Sequence, residues 1–240
     1  MKKLLISLFA FLVIFPLLAQ DKDATQNNET SFDMGVDLST RYIWRGLTFS
    51  NSPVIQPYMT YTIKGLTFGT WASYPFLEDQ SQEVDLFLSY NYKIFTFTLN
   101  DYYFLLNPAG GYSDYFDWDK NSTTHYLEGI IEIAKIKNIP LRFLAGIMFL
   151  GADVDINNNQ NFSTYIEFAY DFKIQNIDAE IFAGFTPFEG FYSDGFDFTN
   201  IGFKAAKVIP ITQKFSLPLS ASFIVNPAAN KVLFLATISF

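Results

Sequence analysis

The chain has no cysteine and a single histidine, His125. Without thiols it forms no disulfide and no Cys-based metal site, and one imidazole is too few for an ordinary zinc centre. Long hydrophobic runs are scarce. Beyond the first twenty residues no stretch approaches the ~18 consecutive apolar residues of a membrane-spanning helix, which excludes a helical membrane protein. Basic residues are outnumbered, 16 Lys and Arg against 24 Asp and Glu, for a net charge of −8. That balance lacks the basic footprint of a nucleic-acid binder, so no nucleic-acid partner is expected.

Apolar and aromatic residues are abundant. Half the chain is hydrophobic, with 28 Phe and 14 Tyr. The beginning reads as a targeting segment. Lys2 and Lys3 precede the apolar run Leu4 to Leu18, and Leu17-Leu18-Ala19-Gln20 offers a small residue at a cleavage point. Residues 1–20 are therefore expected to be a cleavable signal peptide, and 21–30 a polar periplasmic lead. The run is short for a membrane anchor, and no Cys follows it, as a lipoprotein would require. An exported β-protein without disulfides needs another source of stability. A closed barrel in lipid supplies one, because it pairs every backbone group and leaves no edge.

Residues 31–240 carry the strand pattern. From Phe32, apolar residues alternate with polar ones: Phe32, Met34, Val36, Leu38, Tyr42 and Trp44 on one parity, Asp33, Asp37, Arg41 and Arg45 on the other. After this first strand at 32–44 the pattern recurs at 55–63, 66–76, 84–92, 95–99, 127–133, 141–149, 166–174, 177–185, 199–205, 215–225 and 232–240. Charged residues keep to the other parity, as expected where one face meets lipid and a charge there costs about 2–4 kcal/mol. Asp101 breaks the rule unless a bulge near Asn100 flips the register. Tight turns at 64–65, 92–94 and 175–176 alternate with longer, polar loops at 46–52, 77–83, 107–123, 151–161, 187–197 and 226–230. The expectation is an all-β, membrane-spanning, antiparallel up-and-down barrel of about twelve strands, with both termini on the periplasmic side of a bacterial outer membrane. The final strand, Val232, Phe234, Ala236, Ile238 and Phe240, alternates to the last residue. It is similar to the terminal signal read by the barrel-assembly machinery, so that machinery and outer-membrane lipid are the expected partners.

One stretch carries a family resemblance. Ser39-Thr40-Arg41-Tyr42-Ile43-Trp44-Arg45-Gly46, then Pro53 and Gln56, then Gly65, Gly69, Trp71, Ala72 and Ser73 resembles the TorF family of porin-like outer-membrane proteins. The resemblance implies a barrel and a porin-like role, and carries no catalytic residue across.

Inward-facing charges are the first functional candidates: Arg41, Arg45, Asp85, Glu128, Glu132, Arg142, Glu167, Asp171, Asp178, Glu180 and Lys204. Arg41 and Arg45 would stand about 13 Å apart on the first strand, Arg45 at the outer mouth. They either orient anionic groups or pair with lumen carboxylates and plug the barrel. The acidic wall favours cations if the lumen is open. Trp71, Phe87, Tyr165 and Phe182 also point inward and narrow it. Two loops share a motif, Tyr112-Ser113-Asp114-Tyr115-Phe116-Asp117-Trp118 and Tyr192-Ser193-Asp194-Gly195-Phe196-Asp197-Phe198. Aromatic and acidic residues there suit sugar or cation capture, or a girdle meeting solvent; the spacing is not that of an EF-hand. His125 takes the lipid-facing parity beside Ser122, Thr123 and Thr124 without a lipase signature, so no enzyme is expected. The sequons at Asn28, Asn121 and Asn161 are read as chance. The expected function is a channel for small solutes or ions with a weak cation preference, without cofactor or metal. The alternatives are a closed structural or loop-binding barrel and, more distantly, a lipid hydrolase.

Overall fold

A computed structural model describes residues 30–77, 81–105, 111–134 and 139–240. The expected signal peptide, nearly all of the 21–30 lead, Asn28, residues 135–138 and parts of the loops at 77–83 and 107–123 lie outside the described residues.

The chain opens with β1 (Thr30–Ser39), then a short pair, β2 (Tyr42–Trp44) and β3 (Leu47–Ser50). Next come β4 (Val54–Ile63), β5 (Leu66–Pro75), β6 (Glu83–Tyr92), β7 (Phe95–Phe104) and β8 (His125–Ile133). The remainder is β9 (Leu141–Gly151), β10 (Thr164–Ile174), β11 (Ile177–Thr186), β12 (Asp197–Pro210), β13 (Ser216–Asn226) and β14 (Lys231–Ser239). Twelve of these close one antiparallel barrel in the order β1-β14-β13-β12-β11-β10-β9-β8-β7-β6-β5-β4, while β2 and β3 form a separate two-stranded sheet. The fold is thus the expected all-β closed barrel, and the described residues contain no helix.

Its distribution of polarity is inverted relative to a soluble domain. Phe32, Met59, Phe97, Phe168, Ile181, Phe223 and Phe234 are exposed on the outer wall. Buried positions include Gln56, Ser73, Glu83, Asp85, Asn100, Glu128, Asn200 and Asn226, which face inward. Strand period two sends successive side chains to opposite faces, so one alternation builds both surfaces. Large inward rings are accommodated by glycine on the neighbouring strand. A Cβ at Gly69 would stand 2.1 Å from the Phe87 ring, and one at Gly202 would stand 2.4 Å from that of Phe182.

The first strand departs from expectation. It ends at Ser39 instead of continuing to Trp44, and the loop expected at 46–52 contains β3. Tyr42, expected on the lipid face, is buried against Trp71 at 5.3 Å between ring centroids. Trp44 likewise packs on Tyr102 and Tyr192. Aromatic alternation satisfies a lipid face and a filled lumen equally, so parity alone places neither ring.

The proposed bulge at Asn100 is absent. β7 runs from Phe95 to Phe104 in unbroken register with β6 and β8. Asp101 stays on the outward parity near the loop end, where its Oδ1 lies 2.8 Å from His125 Nδ1. Residues 111–122 fold over this pair: Trp118 stacks on the His125 ring at 4.2 Å, and Tyr115 O meets Nε2 at 2.9 Å. A bound partner and a loop cover solve the burial of this carboxylate without a register change.

Candidate functional site: an occluded lumen

The lumen is occupied on its loop side by the β2–β3 hairpin. Ser39 and Thr40 carry the chain off the wall, and the hairpin turns at Arg45-Gly46. Both residues have positive φ, 51° and 79°, the geometry of the two-residue turn that matches strand twist. Only glycine fits the second position, because a Cβ at Gly46 would stand 1.8 Å from Thr199 O. The tip is also tied to the end of β13, where Asn226 Nδ2 donates to Gly46 O at 3.0 Å.

Arg45 is the anchor. Its Nη1 donates to Glu128 Oε1 at 2.5 Å and to Tyr192 OH at 2.5 Å, and its Nη2 donates to Glu128 Oε2 at 3.0 Å. The guanidinium carbon lies 4.3 Å from the Trp44 ring centroid and 4.5 Å from that of Tyr165. Glu128 is fully buried and receives a further bond from Tyr102 OH at 2.7 Å. A bidentate arginine between two π-faces is the geometry that best compensates a buried charge. Gly146 on β9 makes room for the pair, since a Cβ there would stand 2.3 Å from Glu128 Oε1. Around this centre Met148, Tyr165 and Tyr192 form a buried cluster that Trp44, Leu47, Tyr126 and Phe191 extend.

Below the hairpin the lumen opens. A cavity of about 440 Å³ lies between Arg41, Tyr42 and Trp44 above and the inner faces of β1, β12, β13 and β14. Lys204 lines it and also lines a second space of about 430 Å³ with Asp171, Asp178 and Glu180 toward the turn end.

The remaining sequence candidates sort by position. Arg142 Nη2 donates to Glu180 Oε2 at 2.5 Å. Glu167 Oε2 accepts from Tyr165 OH and from Asn200 Nδ2, the latter at 2.9 Å. Asp178 pairs with Lys173 at 2.7 Å. Asp85 is buried beside Glu83, while Glu132, Asp171, Arg41 and Lys204 make no ion pair among the described residues. Arg45 is thus inside the barrel on a turn, not at the mouth on a strand.

The repeated loops diverge. Tyr192 is buried and bonds Arg45, whereas Tyr112 is exposed. Asp114 and Asp117 each accept a backbone N–H two residues on, Asp197 accepts from Phe198, and Asp194 is exposed. Trp118 covers His125, whose ring is fully buried with both nitrogens engaged.

Sequence reasoning missed the hairpin, Glu83 and Gly146. Arg45-Gly46 between Tyr42-Ile43-Trp44 and Leu47-Thr48-Phe49 carries a hairpin signal of its own, a glycine-ended turn between aromatic and β-branched residues. The stretch from Ser39 to Ser73 singled out in the sequence coincides with this plug. Arg41 to Gly46 build it, Trp71 supports Tyr42, and Ser73 accepts a bond from Gln56 Nε2 at 3.3 Å.

No family model matches the chain, and no curated protein matches it. Among solved structures it is similar to the crystal structure of BamA from Haemophilus ducreyi lacking POTRA domains 1-3. The identity is 11% and the TM-score 0.42, over 85% of this chain and 42% of that one. The chain therefore spans less than half the length of that structure.

Proposed function

We propose that this protein is a narrow outer-membrane channel of the porin-like kind, related to the TorF family, whose polar lumen is closed on its outer side by the β2–β3 hairpin. The observation that carries this reading is the cavity of about 440 Å³ directly beneath the hairpin, lined by charged and hydroxyl side chains. A barrel interior filled throughout by side chains would leave no such space. The long-loop end faces outward in this reading, and the turn end, with both chain termini, faces the periplasm. A removable signal peptide delivers the chain, and the exposed ring of Phe240 serves the assembly machinery. Small solutes pass without covalent chemistry.

A weak cation preference follows from the charges left over after pairing. Glu128, Glu180 and Asp178 are cancelled by Arg45, Arg142 and Lys173. Asp33, Asp37, Glu132, Glu167 and Asp171 remain on the inner wall without an ion pair, against Arg41 and Lys204. An excess of fixed negative charge in a narrow pore favours cations.

A closed structural barrel is the second reading. Arg45 favours it, because every favourable contact of this residue is already made inside the lumen. Planar-bilayer conductance separates the two. The intact protein should give small or rare steps. A variant with residues 41–51 replaced by a short Gly-Ser link should give larger, longer steps, reversing toward K⁺ in a KCl gradient. Silence from that variant, with the barrel folded by heat-modifiable mobility, would leave the structural reading standing.

A further inference from the structure

We propose that the cavity beneath the hairpin is a binding site for a small zwitterion of the α-amino acid class, an inference that rests on the channel reading. Asp37, Arg41 and Lys204 all line the cavity, yet no ion pair joins either base to the acid. Asp37 and Arg41 are only four residues apart, and flexible opposite charges sharing one low-dielectric space ordinarily meet. Here neither pair forms, which leaves both signs of charge facing the same void. Asp85 lines the same cavity, buried beside Glu83 and Asn100, and its Oδ1 has no hydrogen-bond partner among the described residues, so a second acid faces the void.

The third wall supplies donors. Ser220, Ser222 and Ser239, inward on β13 and β14, line the cavity and make no side-chain hydrogen bond. Their neighbours Ser39 and Thr237 bond one another at 2.8 Å. A ligand carrying both a carboxylate and an ammonium would satisfy Arg41 and Lys204 with the one and Asp37 with the other, and the hydroxyls would meet its polar side chain. A simple anion would leave Asp37 opposed to it, and a simple cation would face two bases. The volume is within the range of small-molecule sites and admits an amino acid with some water.

Two of the three tryptophans, Trp44 and Trp71, line the cavity and report on it. The test uses folded protein in detergent, with Trp118→Phe to silence the third. Intrinsic fluorescence is titrated with L-glutamine, with glutaramate, which lacks the ammonium, and with 4-aminobutanamide, which lacks the carboxylate. Glutamine should give a saturable change, and each analogue should bind about tenfold more weakly, the loss of one charged hydrogen bond. Arg41→Gln, Lys204→Gln and Asp37→Asn should each weaken glutamine by a similar factor. None of the three side chains makes an ion pair, so these variants keep the packing of the barrel. No saturable change, equal binding of either analogue, or variants that bind as tightly as the parent would overturn the site. Binding does not need conduction in this assay. Binding without conductance would sink the channel and keep the site, and conductance without binding would do the reverse.

Discussion

Arg45 joins a buried ion pair, a tyrosine hydroxyl and two aromatic faces in one side chain. Breaking a buried ion pair by removing one partner strands the other, at a cost of about 3–5 kcal/mol. Arg45→Ala should therefore destabilise the folded barrel by that amount in urea unfolding from lipid or detergent. Replacing both members, with Arg45→Met and Glu128→Leu together, should recover most of the loss, because no unpaired charge then remains. A single-variant cost under about 1 kcal/mol would mean that Glu128 finds water instead. Gly46 makes a second demand on the same turn. Gly46→Ala adds a methyl where Thr199 O already stands at 1.8 Å from the Cβ position, with φ at 79°. The hairpin tip should then leave its seat, and conductance steps should become longer while the barrel still forms. Unchanged conductance from this variant would show that the tip plays no part in closure.

At the scale of elements, the weakest pairing is the seam that closes the ring. β1 and β14 share three register pairs, Asp37↔Ser239, Leu38↔Ile238 and Ser39↔Thr237, whereas β1 and β4 share ten. Backbone bonds from Val36 and Thr40 to β14 add little length. Fewer bonds mean a lower cost of local opening. Amide exchange should be fastest along β14 among the barrel strands, and a disulfide engineered between Leu38→Cys and Ile238→Cys should slow it. Protection of β14 equal to that of β12 would contradict this picture.

The outer loops form another unit. Lys120 Nζ donates to Asn158 O at 2.7 Å, and Asn158 Nδ2 donates to Asn121 Oδ1 at 2.6 Å, joining two loops. Within them, hydrogen bonds from the Asn121 backbone and side chain hold the Asp119 carboxyl below its usual value, and Asn159 does the same for Asp155. A carboxyl held low when folded contributes order above its unfolded pKa, about 3.9, and loses it as pH falls through the lower folded value. Limited proteolysis of the folded barrel should therefore cut these loops faster below about pH 3 than at pH 6. A rate flat across that window would rule the two carboxylates out as loop supports.

At the scale of the whole molecule, the division between legible and illegible features is physical. Strand number, parity, the tight turns and the inward course of Phe87, Tyr165 and Phe182 could all be read in advance. Each depends on a local period, two residues for a strand, imposed by lipid on one side and water or polar partners on the other. Parity placed His125 outward, but the bulge invoked to turn Asp101 inward does not exist, because the remedy for that carboxylate, a partner and a covering loop, involves residues 10 to 24 positions apart. The course of the first loop was not legible. Tyr42, Trp44 and Arg45 continue the alternation of β1, and a one-dimensional pattern has no term for a strand that leaves the wall and pairs inside it.

The sequence by itself determined that this chain must close a barrel with an apolar outside, because only that arrangement pairs the backbone while one face of every strand meets lipid. Whether the lumen is open was decided by tertiary structure alone. Arg45, Glu128, Tyr165 and Tyr192 are far apart in the chain and meet only because the curvature of twelve strands brings opposite walls within reach of one hairpin. Charges that looked like an open acidic wall become partners at that distance, and what remains unpaired is set by which walls face each other.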